Sequence, residues 1–426
     1  MFKRLISSSL FSGSAVYLFS NILAAAIPFA LLPVLTRYLS TAEYGQVAIF
    51  QTLLAGLGAF VGLSVHGAAG VKYYDSHATK EELKYYIGNC FLILLATGVI
   101  VLLGVVIFRR ALSNWLSIET PWLLLSVFVS SFGFVIAIRM RQWQIRKQAR
   151  NFGAFQVSQS LLNMLLSLLV VVCFLQGAAG RIWVLATIPF IFAVLALVLL
   201  YKDDLLGFAW RPAYLREALA FGVPLIPHSA GLFLLSSVDR FIINDRLGIS
   251  QVGIYMVAVQ LVAVMGLVFD AINNAYVPWL FERLKRNHME EIVQIVRWTY
   301  AYCLALLGVV VLAFFIGPSL VILIAGERYS AATEIIGWLA LGQAFHGMYL
   351  MVTNYIFYSK RTALLSLSTI TTGFINFGLL FALIELMGLE GAAVAYAVSM
   401  GLKFLMTWFI ANISHPMPWF TLKVPN

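Results

Sequence analysis

A chain of 426 residues that is 62% hydrophobic and 11% charged, with a mean hydropathy of +0.92, is neither a soluble domain nor a soluble domain with one anchor. Its net charge of +10 reads as membrane topology plus attraction to anionic headgroups, which sets aside a nucleic-acid footprint. Cys90, Cys173 and Cys303 all fall in apolar runs, so packed, reduced thiols are expected, with no disulfide framework, no metal cluster and no cofactor.

A hydrocarbon core of about 30 Å takes roughly 20 apolar residues of helix. Runs of that kind recur at 11–35, 46–66, 87–108, 121–138, 153–175, 182–200, 219–243, 252–275, 299–318, 334–357, 364–387 and 392–411. The expected fold class is therefore an all-α integral membrane protein of about twelve transmembrane helices. The first run is too long for a signal-peptide core and has no small-residue cleavage site after it, so it is expected to remain as the first helix.

Charge in the gaps orients these helices. With the N-terminus inside, about 20 of the 28 Lys and Arg residues fall on the cytoplasmic side. Among them are Lys72, Lys80 and Lys84, the run from Arg139 to Arg150, and Arg283, Lys285 and Arg286. Both termini are then cytoplasmic. Lys403 is the one basic residue placed within a span.

The chain also repeats itself at a shift of about 209 residues. Gly13 falls on Gly222, Arg37 on Arg246, and Glu81-Glu82-Leu83 on Glu290-Glu291-Ile292. Each half holds an even number of spans, so the halves point the same way, a parallel internal repeat about an axis along the membrane normal. The expected organisation is two six-helix lobes, 1–210 and 211–426, facing each other across a central cleft.

Polar side chains within the spans are the candidates for lining such a cleft. Helical spacing puts Pro224, His228, Gly231, Leu235 and Asp239 on one face of the seventh span. Gln260, Asp270 and Asn274 form a stripe on the eighth, Gln156, Ser160, Asn163 and Ser167 on the fifth, Gln343, His346 and Asn354 on the tenth, and Tyr396, Ser399 and Lys403 on the twelfth. The competing reading of the amides and hydroxyls is helix-to-helix hydrogen bonding, worth about 1 kcal/mol per contact in membranes. Ionisable groups weigh more, because a charge at the bilayer centre costs at least about 2.5–3.5 kcal/mol. For these, too, structural alternatives stand: an interfacial Asp239–Arg240 pair, a snorkelling Lys403, and lipid-anchoring arginines from Arg139 to Arg150. No G-x-x-x-x-G-K-[ST] loop is present for nucleotide hydrolysis, aspartates do not cluster at an outer helix end, and no large outer loop exists to hold a sugar-transfer site. Catalysis is not expected.

Several stretches resemble a known family in their order along the chain. They are Pro28-Phe29-Ala30-Leu31-Leu32-Pro33-Val34-Leu35-Thr36-Arg37-Tyr38-Leu39-Ser40 with Glu43-Tyr44-Gly45, then Val238-Asp239-Arg240-Phe241 with Gly253-Ile254-Tyr255. Gly326-Glu327-Arg328-Tyr329 and Gly388-Leu389-Glu390-Gly391-Ala392-Ala393-Val394-Ala395 follow. Together they resemble the polysaccharide biosynthesis or O-antigen flippase family, within the multidrug/oligosaccharidyl-lipid/polysaccharide exporter superfamily. The resemblance implies a flippase that carries an undecaprenyl-diphosphate-linked oligosaccharide from the cytoplasmic to the periplasmic leaflet by ion-coupled alternating access. Its partners would be that glycan, membrane lipids, and a polysaccharide polymerase with chain-length proteins, and no nucleic acid. On this view Lys403, Arg139 and Arg141 attract the diphosphate, and Tyr396, Gln156 and Asn163 face the glycan. Asp239, Asp270 and His228 are the candidates for ion coupling. Two alternatives stand beside it. A cation-coupled multidrug exporter of the same superfamily is disfavoured by the lack of Asp and Glu in the first six spans, and a non-transporting scaffold for polysaccharide assembly by the insertion cost of intramembrane charge.

Overall fold

The computed structural model describes residues 9–75 and 79–419, and all regular structure among them is helical. In chain order the helices are α1 (Ser9–Tyr38), α2 (Thr41–Phe60), α3 (His66–Lys72), α4 (Lys80–Leu116), α5 (Thr120–Ile145), α6 (Ala149–Leu168), α7 (Gly177–Lys202) and α8 (Pro212–Gly222). They continue with α9 (Ile226–Ser236), α10 (Asp239–Leu247), α11 (Ile249–Arg286), α12 (Met289–Ala325), α13 (Ala332–Tyr358), α14 (Thr362–Met387) and α15 (Leu389–Ser414). Eleven spans among the described residues are long and apolar enough to cross a membrane. The remaining expected span, the second at 46–66, corresponds to α2, 20 residues long. The protein is a multi-pass membrane protein.

Local chemistry sets the helix ends. Ser40 accepts the Glu43 N–H at 3.2 Å while the Glu43 carboxylate accepts the Ser40 N–H at 2.8 Å. Thr79 and Glu82 do the same for α4, so each pair satisfies two donors that a helix start leaves without partners. Gly248, at φ +90°, both ends α10 and starts α11, a conformation that a Cβ disfavours.

Shifting the bounds of α4 by 209 residues reproduces those of α12, both 37 residues long. At about 55 Å each outruns a bilayer core, so their charged first turns stand outside it. The repeat breaks where one half kinks and the other does not. The expected span 46–66 stops at Phe60, because Gly62, Leu63 and Ser64 all take positive φ. Thr97 Oγ1 accepts the freed Gly62 N–H at 2.9 Å, the kind of internal partner that irregular backbone needs inside a membrane. In the second half α11 runs unbroken through the matching stretch. The expected span 219–243 instead breaks after Ser236, and α10 starts afresh at Asp239.

The helices gather into two compact units, Met1–Ala230 and Gly231–Asn426. In the first unit α8 packs against α3 and α4. Within the first unit α1 packs on α6 and α5 on α7, and within the second α13 packs on α11, α12 and α15. Cys173 is exposed, not packed as expected, while Cys90 is buried.

Candidate functional site

The C-terminal unit carries a continuous polar seam along α13 and α15. At one end Asp239 opens α10. Its Oδ1 accepts from Arg240 Nη1 at 2.7 Å and from the Arg240 N–H at 2.9 Å, and its Oδ2 accepts from Tyr255 Oη at 2.6 Å. Arg240 also donates to the Ser236 carbonyl. Both residues are buried, and each neutralises the other, which is how a membrane interior tolerates a charge pair. A cavity of about 110 Å³ adjoins them, lined also by Tyr255, Gln343 and Tyr396. It has room for several waters. Gln343 Nε2 donates to Tyr396 Oη at 3.1 Å and so ties α13 to α15 there.

Two turns along α15 lies Lys403, only 4% exposed. Its Nζ sits 4.2 Å from the centre of the Tyr349 ring, so the protein gives this ammonium an aromatic face and no carboxylate among the described residues. A cation on a ring is held by about 2 kcal/mol or more when desolvated, and it keeps its N–H donors available to an anion. Tyr349 stacks on His346, with ring centres 5.9 Å apart. His346 Nε2 in turn lies 3.9 Å from Asp270 Oδ1, and the Asp270 side chain is 57% exposed. The seam ends at Asn354, which donates to Asn273 at 2.8 Å.

The structure thus joins Asp270, His346 and Lys403 through Tyr349, and Asp239 to Tyr396 around one cavity. It separates others. The helical stripe that would link His228 to Asp239 ends with α9 at Ser236; His228 is half-buried and its Nδ1 has no hydrogen-bond partner among the described residues. It is Asn273, not Asn274, that reaches Asn354.

In the N-terminal unit, Arg139 is buried. It pairs with Asp203 at 2.5 Å and lies over the Trp143 ring at 4.2 Å. Arg141 is exposed and donates to Gln144 at 3.1 Å. The Gln156 Oε1 is buried and has no hydrogen-bond partner among the described residues. Asn163 accepts from Arg181 at 2.7 Å, and Arg181 also donates to Ser167. Arg181 is a site residue that sequence reasoning missed, since its place near the start of α7 assigns it to an outer loop. Its flanking Gly180 and Ile182, apolar on both sides, are the signal that it is buried. Tyr349 is equally hidden in the sequence, because an aromatic in an apolar helix reads as core.

The stretches singled out in the sequence are contacts in the fold. Glu43 caps α2 and its Oε1 accepts from the Ala178 N–H at 3.4 Å, Asp239 meets Tyr255, and Glu390 accepts from Trp338 Nε1 at 2.9 Å.

Comparison with known proteins agrees with this organisation. A Haemophilus influenzae "uncharacterized membrane protein" is 27% identical over 398 residues, 88% of this chain and 91% of that one. The Staphylococcus aureus capsular polysaccharide biosynthesis protein CapF is 22% identical over 344 residues, 77% of this chain and 81% of that one. In structure the chain is similar to the lipid II flippase MurJ in an inward closed conformation, with a TM-score of 0.72 at 13% identity over 94% of this chain and 87% of that one. It is also similar to an inward-facing multidrug resistance transporter of the MATE family, with a TM-score of 0.66 at 14% identity over 93% of each chain. At such identities the likeness is one of fold, two lobes of six helices, and leaves function to the site. Residues 10–284 match the family described as polysaccharide biosynthesis protein, and the chain belongs to that family.

Proposed function

We infer that the protein is a flippase that moves an undecaprenyl-diphosphate-linked oligosaccharide repeat unit from the cytoplasmic to the periplasmic leaflet of a bacterial inner membrane. The two units alternate access to the site, and an ion gradient drives them. The observation that carries this reading is Lys403, a buried ammonium held by a ring face. A sugar diphosphate cannot cross hydrocarbon unaided, and a preformed cation in a low-dielectric seam offers it a charge-assisted contact stronger than any in water.

The rest of the seam supplies the other parts. Tyr396 and Gln343 offer hydroxyl and amide groups to a glycan, with Gln156 and Asn163 as candidates in the N-terminal unit. Asp270 is the better candidate for ion coupling, because its side chain is mostly exposed and it is linked to Lys403 through His346 and Tyr349. Asp239 serves that role only if Arg240 releases it. The same pairing weighs against a drug exporter, which needs a free buried carboxylate to hold a cationic amphiphile. Arg141 is placed to gather anionic headgroups at the cytoplasmic face. Polymerase and chain-length proteins are the expected partners of the glycan after transfer.

Lys403→Arg keeps a cation in place and should retain substantial export. Lys403→Ala should lower export at least tenfold at matched protein level, as expected for the loss of one buried charge-assisted contact of about 1.5–3 kcal/mol, with lipid-linked repeat units accumulating on the cytoplasmic side. Undiminished surface polysaccharide in Lys403→Ala would remove this residue from the substrate path.

A further inference from the structure

The Arg139 ion pair belongs to a second feature, separate from the seam. The C-terminal end of α5, the start of α6 and the end of α7 enclose a groove of about 470 Å³, within the roughly 300–1,000 Å³ of sites that hold small ligands. One end is polar, with Arg139, Asp203 and Asn151. Apolar side chains, among them Trp143, Phe155 and Phe192, make up most of the remaining lining. Arg139 is 3% exposed, and its Nε has no acceptor among the described residues. The Asp203 side chain, by contrast, is 47% exposed. A guanidinium with an unanswered donor and a half-open carboxylate therefore stand side by side at the head of an apolar trough.

Its position matters as much as its chemistry. All three helices end or begin here, at Ile145, Ala149 and Lys202, which is the depth of the lipid headgroups. From the groove, exposed Leu195, Val198 and Val194 continue along α7 into the stretch that faces hydrocarbon. An occupant with a charged head and an apolar tail fits this profile, and the membrane around the protein is made of such molecules.

The pair itself selects the head. Arg139 and Asp203 sum to no net charge, so an anionic head that gains from Arg139 is repelled by Asp203, whereas a zwitterion meets both. Arg139 lines the groove and would donate to a phosphate oxygen, and a primary ammonium would donate hydrogen bonds to Asp203 that a quaternary ammonium cannot. Arg146 lies over the Tyr73 ring at 5.2 Å and Arg141 is bonded to Gln144, so neither lines the groove. Their attraction for anionic lipid is diffuse. We propose that this groove is a binding site for one phosphatidylethanolamine molecule, its phosphate on Arg139, its ammonium on Asp203 and an acyl chain along Phe192 and Leu195.

The test uses the full-length protein, exchanged into nanodiscs of phosphatidylethanolamine, phosphatidylcholine or phosphatidylglycerol and then released for native mass spectrometry. Wild type should retain one phosphatidylethanolamine about tenfold more than either other lipid, the effect of one charge-assisted contact. Ala154→Trp fills the trough from the exposed face of α6 and leaves the ion pair intact; it should lose most of the retained lipid. Ser158→Trp, one turn on, repeats the experiment should Ala154→Trp not fold, with the melting temperature as the check. Asp203→Asn should shift the preference towards phosphatidylglycerol. Equal retention of all three lipids, unchanged retention in the folded tryptophan variants, or one-for-one displacement by undecaprenyl phosphate would overturn the proposal. The last result would give the groove to the transported lipid instead.

Discussion

Two aspartates that look alike in the sequence differ in what the fold does to them. Asp239 has three donors and no exposure to spare, so it behaves as part of the scaffold. Asp270 lies 3.9 Å from His346 and its side chain is 57% exposed, so removing its charge leaves no buried partner stranded. Substitution by asparagine should separate them. Asp239→Asn leaves Arg240 as an uncompensated buried charge and should destabilise the protein by about 3–5 kcal/mol, seen as a lower melting temperature in detergent. Asp270→Asn should fold and insert normally yet weaken the dependence of flipping on the ion gradient. Wild-type transport by Asp270→Asn across a range of pH and sodium would assign that residue to structure.

At the scale of elements, the breaks in the helices carry more information than the helices. The turn between α2 and α3 takes three successive residues through positive φ, which costs side-chain-bearing residues roughly 1–2 kcal/mol each. Gly62 is the one residue there that adopts it freely, and a Cβ on it would run into the Phe134 ring. Gly62→Ala should therefore lower thermal stability by about 2 kcal/mol or more, measured on purified protein, whereas Gly58→Ala, with open space around it, should not. The break before Asp239 in the other half takes no residue through positive φ. It turns the residue that would have continued a stripe from His228 into the start of a new helix, where a carboxylate is favoured by the exposed N–H groups.

For the whole molecule, the repeat and the charge bias make a joint prediction about topology. Reporter fusions after Lys147 and after Arg286 should report the cytoplasm, and a fusion in the turn at Gly248 between α10 and α11 should report the periplasm. A periplasmic signal at Lys147 would invalidate the twelve-span arrangement and the assignment of the Arg139 groove to the cytoplasmic leaflet. The long helices support the same arrangement, since α4, α11 and α12 each exceed the bilayer and project Lys80, Arg286 and Glu290 beyond it.

Hydropathy and charge determine how many times this chain crosses the membrane, because burying a backbone in hydrocarbon leaves only helices of sufficient length. They also determine the repeat, for two halves under the same constraint keep the same order of loops, caps and spans, down to equal lengths for α4 and α12. What periodicity leaves open is which neighbour a polar side chain meets. Lys403 was visible as an intramembrane cation, but that a ring answers it in place of a carboxylate depends on Tyr349 arriving from α13. Arg139 and Asp203 are 64 residues apart and share no helix, so their pairing, and the groove it heads, comes from the packing of α5 against α7. Spacing along one helix fixes a face, whereas partners across helices are chosen by the packing of units that no single segment encodes.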